Sequence, residues 1–253
     1  MLLSKKLSKL LFGRSAKAKR KGMALVKFGA GVADMRGSIG GVVFSRTRNG
    51  AIARNRTIPV DPGSAFQLPI RALMGQVRDA YFQTLTAAQR SEWEQYAENV
   101  DMLNRLGEVV NLTGYNHYCR SNIPILQAGL TRVDDGPSTF SLAEQDGSVV
   151  VTATAATKEI SIAFDDAMDW CDEDGAALLV YESAPQSPGI NYFKGPYRFL
   201  GAIEGDNASP PTTPQTFTSS HEMTAGQKQF YQFRIARADG RLSQPFRASD
   251  VIG

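Results

Sequence analysis

The chain has 253 residues, enough for one large domain or two small ones, and its 42% hydrophobic and 21% charged residues place it among globular proteins. No apolar run approaches the roughly 18 residues of a membrane-spanning helix, and two cysteines far apart in sequence, Cys119 and Cys171, give no disulfide framework. The formal net charge of +3 conceals a division: residues 1–60 hold 14 Lys and Arg against one acid, Asp34, while residues 61–253 hold 14 against 24, so the two parts carry +13 and −10. A cationic segment joined to an anionic body points to a polyanion or to an acidic protein neighbour, another copy of the body included.

In chain order, Leu3, Leu7, Leu10 and Leu11 fall on one face of a short amphipathic helix, with Lys5, Lys6 and Lys9 largely elsewhere. Lysines interleaved with leucines do not make the uninterrupted apolar stretch of a signal peptide. The expectation is a tail that orders on a partner, with a membrane surface as the other reading; Met23 is an alternative start.

Residues 1–62 read as a basic, glycine-rich extended arm. Within it GGVVFS, residues 40–45, predicts a short strand, and RNGA, residues 48–51, a tight turn, since Asn-Gly tolerates positive φ. A lone hairpin of this size is marginal in water and needs a partner strand. The arm ends at Pro59 and Pro62, which exclude a regular helix. Arg36, Arg46, Arg48, Arg54 and Arg56, with the apolar Val42, Val43 and Phe44, are the candidate partner-binding residues. Arginine forks suit carboxylates and phosphates alike, and glycines let a backbone lie close to its partner. The expectation is an extended segment with few contacts to itself, buried by other chains.

Residues 63–135 read as helical. Ile70, Leu73, Val77, Tyr81 and Leu85 recur at spacings of three and four. Thr86 and Gln89 form the T-x-x-Q of a capping box that opens a second helix, with Trp93, Tyr96, Ala97 and Val100 as its buried stripe. A loop around Gly107 precedes a third helix, capped by Thr113 and expected to end near Pro124.

From residue 146 to 253 the period changes to two. Seven short strands are expected within residues 148–154, 158–164, 177–183, 197–203, 215–220, 228–238 and 247–252, the number of a two-sheet sandwich. Residues 231–245, YQFRIARADGRLSQP, resemble the penultimate strand, hairpin turn and last strand of a fibronectin type III module. The fold class is therefore α+β and multidomain: an extended arm, a small helical segment and a C-terminal antiparallel sandwich of immunoglobulin or fibronectin III type.

Catalytic chemistry finds no footing. GAGVADMRGSIGG, residues 29–41, holds G-x-G but lacks the spaced third glycine and the helix that a dinucleotide site requires. His117 and His221 have no second ligand at a metal-binding offset, and the acidic stretch 165–175 departs from the calcium-loop spacing and reads as a solvated connection. Neither G-x-S-x-G nor a cysteine–histidine pattern occurs. The chain is expected to be non-enzymatic, with no cofactor, metal or small-molecule substrate. The aromatics Trp170, Tyr192, Phe193 and Tyr197 read as core or loop packing, with carbohydrate contact as the alternative.

Four elements in fixed order carry a further resemblance: R-G-S-x-G-G-x-x-F-S at residues 36–45, R-x-x-P-x-x-P at 56–62, L-T-x-x-Q-R-x-x-W at 85–93 and G-Y-N at 114–116. Over about residues 35–123 the chain resembles proteins encoded among the virion genes of tailed bacteriophages and prophages. The resemblance implies a structural role in the particle, made in the bacterial host cytoplasm, with capsid decoration or a head-tail junction favoured over a tail tube. Its implied partners are major capsid, portal or tail subunits and copies of itself. A nucleic-acid-binding protein whose residues 1–60 contact packaged DNA is the alternative.

Overall fold

A computed structural model of the chain describes residues 23–29, 31–47, 50–57, 60–103 and 108–253. Among them are three α-helices, one π-helical turn and thirteen strands in four antiparallel sheets, a mixed α+β architecture. The chain divides into two compact units between Pro62 and Gly63.

The first unit holds β1 (Met23–Leu25), β2 (Gly37–Ile39), β3 (Val42–Thr47) and β4 (Gly50–Asn55) in the order β1-β4-β3-β2. The strand read in GGVVFS is β3, and it pairs with β4 from Val42 opposite Asn55 to Thr47 opposite Gly50. Arg48 and Asn49 of the expected turn, Pro59 of the exit and the helix expected over residues 3–11 lie outside the described residues. Gly40 and Gly41 join β2 to β3 with φ of +54° and +87°, the two positive values that a two-residue loop between right-twisted strands demands.

The hairpin's need for partner strands is met within the unit. Gly37 pairs opposite Phe44 on one side and Leu25 opposite Ile52 on the other. This corrects the expectation of few contacts to itself: the edges reserved for other chains are occupied by β1 and β2, whose three residues each carried too little pattern to be read as strands.

In the second unit the apolar face of residues 70–85 forms α1 (Gln67–Asp79) and the π-helical turn Ala80–Thr84, with Val77, Tyr81 and Leu85 buried. Helix α2 (Ala87–Asn99) opens on the capping box: Thr86 Oγ1 accepts from the Gln89 N–H at 3.2 Å, and Gln89 Oε1 accepts from the Thr86 N–H at 2.9 Å. Trp93, Tyr96, Ala97 and Val100 are its buried stripe. A short ladder of β5 (Met102–Leu103) on β6 (Val109–Val110) follows, where only a loop was expected; Gly107 itself lies outside the described residues.

Helix α3 (Gly114–Gln127) starts on Thr113, whose hydroxyl accepts from the Asn116 N–H. It passes through Pro124 instead of ending there, because Ile125 is buried against Ala177, Leu179, Ala236 and Leu242. That burial offsets much of the roughly 3 kcal/mol that an interior proline costs. Helices α2 and α3 approach closely at Gly114, where a Cβ would stand 2.6 Å from the Glu94 nitrogen.

All seven strands expected after residue 148 form: β7 (Val150–Thr154), β8 (Glu159–Ala163), β9 (Ala177–Glu182), β10 (Arg198–Glu204), β11 (Gln215–Thr218), β12 (Lys228–Ala236) and β13 (Phe246–Val251). They make a four-stranded sheet, β10-β9-β12-β13, and a three-stranded one, β11-β8-β7. Val151, Ile160 and Ile162 of the smaller sheet share one core with Leu178, Val180, Phe233 and Ile235 of the larger, closed by Trp170 and Tyr231. Ala177 and Leu179 on the opposite face of β9 carry α3, so β9 is buried on both faces and its sequence, ALLVYE, does not alternate. The last strand begins at Phe246, so it lies past residues 231–245, the stretch whose end resembled a last strand. Arg241 to Pro245 form a connection with a single bridge, Ala236 to Leu242, where the Ser243 hydroxyl accepts from the Ile235 N–H at 2.8 Å.

Candidate functional site

The residues singled out for partner binding converge on the four-stranded sheet of the first unit. Strand alternation and register set Val42, Phe44 and Arg46 on one face with Ile39, and Val43 on the other with Ile52, Arg54 and Leu25. Arg36 precedes β2, Arg56 follows β4, and Arg48 lies outside the described residues. Each face thus mixes apolar side chains with a guanidinium.

Among the described residues of its unit, no second layer covers this sheet. Ile52 is its one buried residue among those described, Leu25 is 72% and Ile39 66% exposed, and Val42, Val43 and Phe44 are half-buried. Among the described residues, the apolar core clusters contain none from this unit.

Its charge is equally open. Asp34 pairs with Arg36 at 3.2 Å and approaches Arg46 at 3.8 Å, so the one acid of residues 1–60 is shared by two arginines. Among the described residues Arg54, Arg56 and Lys27 have no carboxylate partner. Exposed pairs of this kind stabilise little, about 0–1 kcal/mol. The arrangement can bind an anionic surface while laying apolar side chains on it.

The second unit gives its acids structural work. In the stretch read as a solvated connection, Trp170 and Cys171 are buried, Glu173 pairs with Arg237, and Asp174 accepts from the Asn207 N–H at 2.8 Å, so the loop is anchored into the core. Burial and surrounding carboxylates push the Cys171 thiol up to about 11, and burial raises Cys119, so neither is an activated thiolate. A cavity of about 700 Å³ is lined by Arg132, Asp134, Asp135, Asp174 and Glu204 among others. There Asp134 is held by Arg132 at 2.6 Å and by the Tyr118 hydroxyl at 2.9 Å, which keep its carboxyl below the usual range. No group of His, Cys, Asp and Glu among the described residues is arranged to hold a metal.

His117 is fully buried on α3, edge-on to Tyr96, with neither ring nitrogen hydrogen-bonded; burial and the nearby Arg120 press it down to about 4. It is a neutral core residue and no acid–base catalyst at neutral pH. Trp170 is likewise core, whereas Tyr192 is 68% exposed, so the aromatic group considered for carbohydrate divides between interior and surface. Sequence reading missed β1, β2 and the Asp34 pairing; the signals available were the apolar run Ala24–Val26 and the isolation of a single acid among fourteen cations.

No family model matches the chain, and no curated protein sequence matches it. Among solved structures it is similar to a family 76 glycoside hydrolase from a bovine Bacteroides thetaiotaomicron strain, at 15% identity and a TM-score of 0.31. That likeness covers 44% of this chain and 20% of the hydrolase.

Among the described residues no helix is long and apolar enough to cross a membrane.

Proposed function

We propose that the protein is a non-enzymatic structural component of a tailed-phage virion, one that joins or decorates neighbouring subunits through residues 1–62. The single observation that carries this reading is the basic sheet of β1 to β4, which among the described residues has no apolar core of its own and leaves Arg54 and Arg56 without carboxylate partners. Such a sheet gains a second layer from another surface, and its charge selects an acidic one. The motif resemblance over residues 35–123 supplies the virion setting, with a capsid-decorating or head-tail position. The order β10-β9-β12-β13 over β11-β8-β7 supports the finer reading of residues 146–253 as an immunoglobulin or fibronectin III-like sandwich, a frequent appendage of phage particles.

The test is reconstitution with particles from the source lacking this chain. Wild type is expected to co-sediment with them, and the double substitution Arg54→Glu, Arg56→Glu, both at exposed positions, to reduce incorporation by about tenfold or more. Undiminished incorporation sinks the role given to the sheet, and a monomer that never joins particles sinks the whole reading. The same cations favour a second reading, contact with packaged DNA. Duplex binding that weakens steeply with salt and is lost in the same variant, without particle binding, would put that reading first.

A further inference from the structure

The second unit is acidic overall, yet one part of its surface is not. Arg247 lies over Tyr192 and Tyr197, Lys228 over Phe230 and Arg198 over Phe66, Lys194 follows Phe193 in sequence, and no Asp or Glu occurs between Gln186 and Ile203. The connection from β9 to β10 supplies Asn191, Tyr192, Phe193 and Tyr197, while Phe230 comes from β12 and Arg247 from β13. Together they line a shallow cavity of about 220 Å³.

The cavity is built. Phe193 stacks on Phe230 at 5.8 Å with an interplanar angle of 21°, Tyr197 stands edge-on to Phe193, and the Tyr197 hydroxyl donates to the Phe193 carbonyl at 3.0 Å. Phe230 is itself buried, so this floor is anchored in the sheet. Above it the Arg247 guanidinium lies 5.5 Å from the ring centres of both Tyr192 and Tyr197. Both rings attract the guanidinium, and among the described residues no carboxylate pairs with it. Tyr197 also lines a neighbouring cavity of about 310 Å³ with Phe66 and Arg198, where the guanidinium sits 4.1 Å from the Phe66 ring centre.

We propose that these two cavities bind an acidic saccharide, one pyranose ring lying on Tyr192 with its carboxylate on the Arg247 fork and a following unit reaching Phe66 and Arg198. The C–H-rich face of a sugar ring carries positive edges that suit the negative face of an aromatic ring. A guanidinium with no carboxylate partner among the described residues suits a planar carboxylate. The first cavity has room for one ring, being smaller than the roughly 300–1,000 Å³ of pockets that enclose a drug-sized ligand. A single-stranded nucleic acid is held by a groove that tracks its backbone over several nucleotides, and this cavity has room for one ring. The site is independent of the basic sheet and of its role in assembly.

Titration of the full chain with an alginate-derived oligouronate, followed by protein NMR or calorimetry, tests this. Binding is expected in the micromolar to millimolar range, weakened about tenfold or more by Tyr192→Ala and by Arg247→Ala, and less by Arg247→Lys. Tyr192 and Arg247 are exposed, so these variants should keep the fold, which circular dichroism checks. A neutral manno-oligosaccharide is expected to bind more weakly. No binding at roughly 10 mM oligouronate, binding indifferent to Tyr192→Ala, equal binding of the neutral sugar, or preferential binding of single-stranded DNA would each overturn the proposal.

Discussion

The sheet of β1 to β4 and the pair of sheets in the second unit are both antiparallel and both four strands wide at most, yet they are stabilised differently. Val180, Phe233 and Ile235 meet Val151, Ile160 and Ile162 across a closed core, whereas Val42, Val43 and Phe44 meet nothing comparable among the described residues of their unit. Hydrogen-bonded strands alone contribute little net free energy, and a sheet without a packed face is marginal. The second unit carries its own packed core, and on the proposed function the basic sheet is completed by what it binds.

The comparison breaks most readily at Trp93. This side chain is fully buried, donates from Nε1 to the Asp134 carbonyl at 2.9 Å and packs edge-on against Tyr96 and Tyr118. Trp93→Ala is expected to lower the unfolding free energy of the second unit by about 3–5 kcal/mol, read as a shifted urea midpoint. A change below about 1 kcal/mol would mean that the helices are as weakly packed as the basic sheet.

Acid provides the next largest effect. His117 has both nitrogens unpartnered, and burial lowers it from 6.5 to about 4, so the unfolded chain binds a proton in that window and the folded one does not. Stability therefore falls as pH drops from about 6.5 to about 4 and levels off below, by about 3 kcal/mol for this group. His117→Leu is expected to flatten that part of the profile without loss at neutral pH, since it removes two unsatisfied buried atoms. A profile unchanged by the substitution would place the acid sensitivity in other groups.

Local chemistry made much of this fold legible. Thr86 and Gln89 announced a helix start because a hydroxyl and an amide three residues apart satisfy each other's backbone donors whatever surrounds them. The strands of the second unit showed in the period of two, and the stripe from Val77 to Val100 in the period of three and four. Long-range packing left no such mark. The docking of Ile125 on Leu179 depends on β9 being covered on both faces, and it carried α3 through a proline that locally reads as a stop. At the candidate site the five arginines were legible as charge, but β1 and β2 were not, because three residues cannot display a period. Arg247 and Phe66 entered the second site only through the fold, one from the last strand and one from the start of the helical region.

The capping box supplies a smaller and more local check. Thr86→Ala removes the acceptor of the Gln89 N–H and is expected to cost about 1 kcal/mol, with Thr86→Ser restoring most of it. Equal loss in both variants would show that packing at Leu85, and not the cap, sets the start of α2.

The sharpest test of the contrast uses the same substitution in both regions, and its effect in the basic sheet is the smallest expected. Val180→Ala, in a residue fully buried between the two sheets, is expected to cost about 2 kcal/mol. Val43→Ala, half-buried and lacking a facing layer, is expected to change the stability of the free chain by about 0.5 kcal/mol or less. The asymmetry should narrow on assembly, since an acidic partner surface that supplies the second layer turns Val43 into a core residue of the complex. Amide exchange can follow both states, with the β3 and β4 amides expected to exchange far faster than those of β9 and β12 in the free chain and to gain protection on the particle. Equal protection of the two regions in the free chain would mean that the basic sheet is already completed from within, and the reason for assigning it a partner would be gone.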